Sequence, residues 1–285
     1  MELKFQEIKQ TTKTIMAYLN FTYDLKKLYD KLPYITIDIP LTKRKKNPNF
    51  KKVKAPNNNI YILQYGKECK GIVREIKTFF PNQVSCRIFI EDINIHMMIF
   101  KDKVKMVSCK NIDHAIKTMK IIWKISKRLG CHTMHDGETI PKIIFVPAMN
   151  NLDFNLGFNI DRIKLDSLIN SKYKNRGIIS DYQPDHSTSV NIKFKCDNFT
   201  PSYKCLVLDK KYFITTINTN KFKKIKKKED CTTFLVFRSS RIKESGKYPD
   251  IMENNFNQFM KIIRSHRKDI EEKLDNNDST FEFSD

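Results

Sequence analysis

The chain has 285 residues, enough for one large domain or two smaller ones, and its 40% apolar content excludes wholesale disorder. With 53 Lys and Arg against 32 Asp and Glu, the formal charge is +21, so polyanions, nucleic acid first among them, are the partners to consider. Seven cysteines without a CxxC pair exclude a disulfide framework and point to a reducing, intracellular compartment.

In chain order, the pattern reads as one arrangement written twice. Residues 11–19 alternate like a strand, and 24–32 read as a short helix with Asp24 placed to cap its start. A basic stretch bearing Pro and Asn, 41–59, reads as a long loop. Strands follow at 83–90, 94–100 and 104–108. A long helix closes the first copy, from Asn111 as N-cap to Gly130 as stop, with Ala115, Met119, Ile122, Trp123, Ile125 and Leu129 on one face.

The second copy places strand structure at 142–156, a short helix at 165–173 and a strand at 189–195. An insertion of about 196–230 carries its own hairpin, 204–208 with 212–217, and then the basic run KFKKIKKK. Two strands, 232–238 and 241–245, precede a helix of about 250–274 with Phe256, Phe259, Met260 and Ile263 on one face. The expected division is a first copy 1–135 with a basic insertion of about 40–78, a second copy 136–274, and an acidic, disordered tail 275–285. The opening MELKFQEIKQ is too polar for a signal peptide, and no apolar run approaches a membrane span.

The clearest internal match sets HMMIFKDKVKMVSCK beside TFLVFRSSRIKESGK. Each is an apolar strand ending in Phe, a tight basic turn and a second strand with an apolar–Lys pair. Alternate strand residues face opposite sides, yet both sides of these strands are apolar. If helices cover one face, Met98, Phe100, Leu235 and Phe237 are left on the other. An exposed apolar patch marks a partner. In so basic a chain the partner should be anionic with an apolar floor, as the minor groove of A/T-rich double-stranded DNA is.

These residues carry a family resemblance. The stretch FPNQVSCRIFIEDINIHMMIFKDKVKMVSCKNIDHAIKTMKIIWKISKRLG resembles the core of the first repeat of the TATA-box-binding protein family, and YQPDHSTSVNIKF with TFLVFRSSRIKESGK echoes the second. The resemblance covers roughly residues 10–272 and suggests a divergent member from a large DNA virus. It implies an α+β fold of two repeats, each a curved antiparallel sheet with two helices on the convex face, together forming a saddle. It implies transcription initiation by binding and bending A/T-rich promoter DNA, with paired phenylalanines as wedges between base steps. Phe100 and Phe237 match one wedge of each repeat, and Phe80, or Phe79 with a one-residue shift, matches the other wedge of the first. Its counterpart in the second falls on Ser187, so that wedge is missing.

Further groove-facing positions implied by the family fall on Thr14, Met98, Val107, Leu235 and Ser245. The family's central asparagines fall on Thr12, a departure, and on Asn151. Lys105 and Lys243 stand where the family has valine; they either face the groove or are turned outward by a strand slip. Glu244 falls on the helix side by the same alternation, an uncomfortable place for a carboxylate. Tyr182, Pro184 and Asp185 occupy the loop by which the family binds a B-type general transcription factor, and RNA polymerase machinery follows as a wider partner. The runs at 43–54 and 221–228 either follow phosphates or are simply solvated.

No cofactor is expected. Cys131, His132 and His135 lie close together but lack a second ligand pair for zinc. No P-loop, GxGxxG, HExxH or GxSxG occurs, so a binding protein rather than an enzyme is expected. A nuclease built on scattered carboxylates, a binder of single-stranded DNA or RNA and a virion DNA-packaging protein are the competing classes. The nucleus, a cytoplasmic viral factory or the virion are the compartments these readings allow.

Overall fold

The computed structural model describes residues 3–8, 10–36, 56–71, 80–196, 201–218 and 231–272. The basic runs 43–54 and 221–228, Phe79 and the tail 275–285 lie outside the described residues. In chain order the strands and helices begin with β1 (Gln10–Leu19), β2 (Phe21–Tyr23), α1 (Leu25–Lys31), β3 (Ile60–Tyr65), β4 (Glu68–Gly71) and β5 (Val84–Ile90). They continue with β6 (Ile93–Ile99), β7 (Lys103–Cys109), α2 (Ile112–Leu129), β8 (His132–Met134) and β9 (Lys142–Asn155). Next come α3 (Arg162–Lys172), β10 (Ile178–Asp181), β11 (Ser189–Lys195), β12 (Ser202–Leu208) and β13 (Tyr212–Asn218). The last are β14 (Cys231–Phe237), β15 (Arg241–Gly246), α4 (Pro249–Ser265) and α5 (Arg267–Ile270).

Two compact units result. The N-unit comprises residues 12–149 and 200–226, and the C-unit comprises 1–11, 150–199 and 227–285. The division falls at 149/150 rather than near 135, inside the continuous strand β9. The hairpin expected as an insertion of the second copy forms as β12 and β13, but it belongs to the N-unit, where β12 pairs with Lys142–Phe145 of β9. Residues 60–71, which fall within the expected insertion of about 40–78, form the strands β3 and β4. Pro147, which has no N–H for a ladder, falls between the stretches of β9 that pair with β12 and with β15.

Each unit follows the same antiparallel wiring. In the N-unit the order is β3–β5–β6–β7–β1; in the C-unit it is β10–β11–β14–β15–β9. The opening strand of each unit thus lies beside the strand that leads into its long helix, β1 beside β7 and β9 beside β15. Between β5 and β6 the chain reverses through Glu91 and Asp92, both at positive φ (46° and 64°), the sign that suits a two-residue hairpin with right-twisted strands.

The helices form where their caps and apolar stripes lie. Asp24 accepts from Lys27 N at 3.0 Å, Asn111 from His114 N at 3.0 Å and Asp161 from Lys164 N at 3.1 Å. Gly130 ends α2 in the left-handed region at φ 61°, where a side chain would be strained. The last helix is shorter than the expected 250–274: it stops at Ser265, where His266 leaves helical geometry (φ −117°, ψ 17°), and α5 follows to Ile270. His266 Nδ1 lies 3.1 Å from Asp269 Oδ2, a side-chain contact between the break and α5.

Both cores sit on the helix side of their sheets. In the N-unit, Ile15, Ala17, Val84, Cys86, Met97, Ile99, Val104 and Met106 join Leu28 of α1 and Met119, Ile122 and Trp123 of α2 in one cluster. In the C-unit, Phe154, Val190, Ile192, Phe234, Val236 and Ile242 join Leu165 and Ile169 of α3 and Phe256, Phe259 and Ile263 of α4.

One residue breaks this pattern. Glu244 on β15 is fully buried on the core side, paired across the sheet with Phe234 and Leu152, and neither carboxylate oxygen has a hydrogen-bond partner. Burial pushes its carboxyl up to about 9, so it is folded as the neutral acid. Between its ordinary value and that one, the unfolded chain releases the proton and the folded chain keeps it. Stability should therefore fall as pH rises from about 4.5 toward 9 and level off above, the reverse of a salt-bridged carboxylate. Urea denaturation from pH 5 to 9 should show this slope in the native chain and lose it in Glu244→Gln and Glu244→Leu. Equal slopes in all three would show that Glu244 is not held neutral.

Candidate nucleic-acid interface

The candidate interface is built from the side chains each sheet turns away from its helices, and cross-strand register defines it. In the N-unit one row runs Arg87–His96–Val107–Thr14 across β5, β6, β7 and β1. The next runs Ser85–Met98–Lys105–Met16. Lys103 then pairs with Tyr18, and Phe100, just past β6, donates its N–H to Lys103 O at 2.8 Å. In the C-unit the rows are Lys193–Thr233–Ser245–Asn151 and Asn191–Leu235–Lys243–Asp153 across β11, β14, β15 and β9. Ser189 pairs with Phe237, and Arg241 with Asn155.

Expected residues fall into this layer in matching places. Met98 stands opposite Lys105 as Leu235 stands opposite Lys243. The outward slip considered for the two lysines does not occur: each shares a face with the apolar residue beside it. Lys103 Nζ lies 5.5 Å from the Phe100 ring centroid and Lys243 Nζ 5.7 Å from that of Phe237, within cation–π range. Phe100 and Phe237 are half-buried and belong to neither core. Thr14 and Val107 are cross-strand partners, and Thr12 is half-buried two residues before Thr14. Ser245 donates its hydroxyl to Asn151 Oδ1 at 2.9 Å.

Phe80 is placed differently. It is 63% exposed and precedes β5 rather than lying in a strand. Ser187, its expected counterpart, precedes β11 in a turn closed by its N–H to Gln183 O at 2.7 Å. Tyr182, Pro184 and Asp185 lie on the connection between β10 and β11; Pro184 and Asp185 are exposed, and Tyr182 is half-buried with the Arg162 guanidinium 5.0 Å from its ring centroid.

Several residues of this layer escaped sequence reading. Met16, Arg87, His96, Asp153, Asn191 and Arg241 share the two faces with the expected residues. Counting in twos from Thr14, Met98, Asn151 and Lys243 reaches Met16, His96, Asp153 and Arg241; Arg87 and Asn191 needed the strand register. His96 is held below its ordinary value by burial and then by the nearby Arg87 and Lys105, so it is neutral near pH 7. Asp153 is held below the usual carboxylate range by Arg241, whose Nε donates to Oδ1 at 2.9 Å and whose terminal nitrogen donates to Oδ2.

No family model and no curated protein matches this sequence. Among solved structures, the TBP of Methanococcus jannaschii is similar at 13% identity, over 91% of this chain and 98% of that one, with a TM-score of 0.46.

The two kinds of sheet Phe should respond differently to truncation. Phe234 is fully buried, with its ring stacked on Phe259 at 4.4 Å, so Phe234→Ala should cost about 3–5 kcal/mol. Phe100→Ala and Phe237→Ala should cost about 1 kcal/mol or less. Urea denaturation of the three variants checks this; comparable losses would mean that Phe100 and Phe237 are core residues.

Proposed function

We propose that this chain is a TATA-binding-protein-like DNA-binding protein that uses both helix-free sheet faces in the minor groove of A/T-rich duplex DNA and bends it. One observation carries the reading. The same apolar–Lys cross-strand pair, with a Phe at the end of the strand, recurs at the same place in both units, on the face their cores leave unused. Apolar side chains suit sugar edges, ammonium groups suit phosphates and the A N3 and T O2 acceptors, and Phe100, Phe237 and Phe80 are the wedge candidates. The saddle arrangement, a role in transcription initiation, a viral source, and a B-type factor recruited at Tyr182–Asp185 with RNA polymerase machinery are parts of the same proposal. So is the absence of a catalytic step: the reading needs binding and deformation alone. Seven free cysteines suit a reducing intracellular compartment.

The test is duplex binding with fluorescence-transfer bending on A/T-rich and G/C-rich oligomers. Preferential binding and bending of the A/T-rich duplex is expected, with affinity falling steeply as salt rises. Because the first repeat keeps two wedge candidates and Ser187 replaces one in the second, Phe100→Ala should remove more of the bend than Phe237→Ala. Tighter binding to single strands, or binding without a bend, would overturn the reading.

His96 adds a pH signature. Phosphates near its ring would favour the charged imidazolium, so binding takes up a proton. Affinity should therefore increase as pH falls from 7.5 to about 5.5, with a slope of at most roughly tenfold per pH unit, the limit for one proton. His96→Gln should flatten that dependence in titrations at constant ionic strength. An unchanged slope would place His96 away from DNA.

A further inference from the structure

The two faces match in layout but not in charge. In the N-unit rows the ionised groups are Arg87, Lys103 and Lys105, with no carboxylate. In the C-unit the equivalent of Met16, the residue opposite the central lysine on the opening strand, is Asp153. Its side chain keeps 24% of its surface exposed, on the side away from Leu152 and Phe154, which are buried. Arg241 is its main partner, and Lys243 stands directly across the strand pair. At the other end of the same row, Asn191 Oδ1 is buried without a hydrogen-bond partner. The middle row of the C-unit thus ends in Asn191 and the carboxylate Asp153, where the N-unit has Ser85 and Met16.

Minor-groove chemistry gives this difference a consequence. A·T pairs in either orientation offer only acceptors there, N3 and O2; the one donor is the guanine N2 amino group. A carboxylate can only accept. Opposite A·T it faces lone pairs, and opposite G·C it finds a donor.

We infer that Asp153 makes the C-unit's half of the site read guanine, so the preferred duplex is asymmetric: A·T under the N-unit and a G·C pair under the C-unit. This rests on the minor-groove reading above and goes beyond it, because two equivalent faces would favour two equivalent A/T halves. Asp153 is the specificity-determining residue, Arg241 the residue that positions it, and the single asymmetric position gives the protein one orientation on its DNA.

The experiment is selection of bound duplexes from a randomised pool with the full chain, Asp153→Met and Arg241→Met. The native chain should enrich a G·C pair in one half only, and Asp153→Met, which copies the N-unit, should enrich A·T in both. Arg241→Met keeps the carboxylate but removes the partner that holds it, so it should enrich the same G·C pair less strongly than the native chain. Replacing the selected guanine by inosine, which lacks only the N2 amino group, should weaken binding by the native chain about tenfold and leave Asp153→Met unaffected. Enrichment of A·T in both halves by the native chain, or a G·C pair retained in Asp153→Met, would overturn this inference and leave the minor-groove reading standing. Failure to enrich any duplex would overturn both.

Discussion

A β-strand sends alternate side chains to opposite faces, and in each unit the helices take only one of them. That constraint organises the molecule. Once Val104 and Met106 enter the N-unit core, Lys103, Lys105 and Val107 must face the other way; once Ile242 enters the C-unit core, Arg241 and Lys243 must do the same. A one-residue slip would exchange the faces and bury the lysines, so core packing and the basic layer fix each other. Glu244 shows the strength of the constraint: the alternation that presents Lys243 also drives a carboxylate into the core, where it stays neutral without a partner.

What could be read in the sequence follows the same physics. The helix α2 was legible to its caps, because Asn111, Gly130 and a strong apolar stripe agree with one another. Strands β6, β7, β14 and β15 were legible from the paired motifs. Short strands were not: β10 is four residues long, and β3 follows a Pro- and Asn-rich stretch, so each depends on pairing with a neighbour. Nor could composition show that β12 would pair with the first half of β9 and so join the N-unit, since that contact joins residues about sixty positions apart. Strand parity was readable for Lys105 and Lys243 but could not be separated from a slip without the cores. Asp153 was missed because an acidic residue does not fit the picture of a DNA-binding face, although it stands two residues from Asn151.

The two faces show how repeated wiring can diverge. The strand order and the apolar–Lys pair are held in both units, as the geometry of the cores requires. The flanking positions are free of that requirement, and there the units differ: Met16 against Asp153, Ser85 against Asn191, His96 against Thr233. The differing residues are those that would decide what each face recognises, and the shared ones those that would make it bind at all.

The central claim is that DNA covers the helix-free faces and not the helices. Lysine modification with and without saturating duplex, read by mass spectrometry, tests it directly. The account predicts protection of Lys103, Lys105, Lys193 and Lys243, with Lys117 and Lys120 of α2 and Lys261 of α4 modified equally in both states. Protection of the helix lysines with Lys105 and Lys243 still reactive would contradict it.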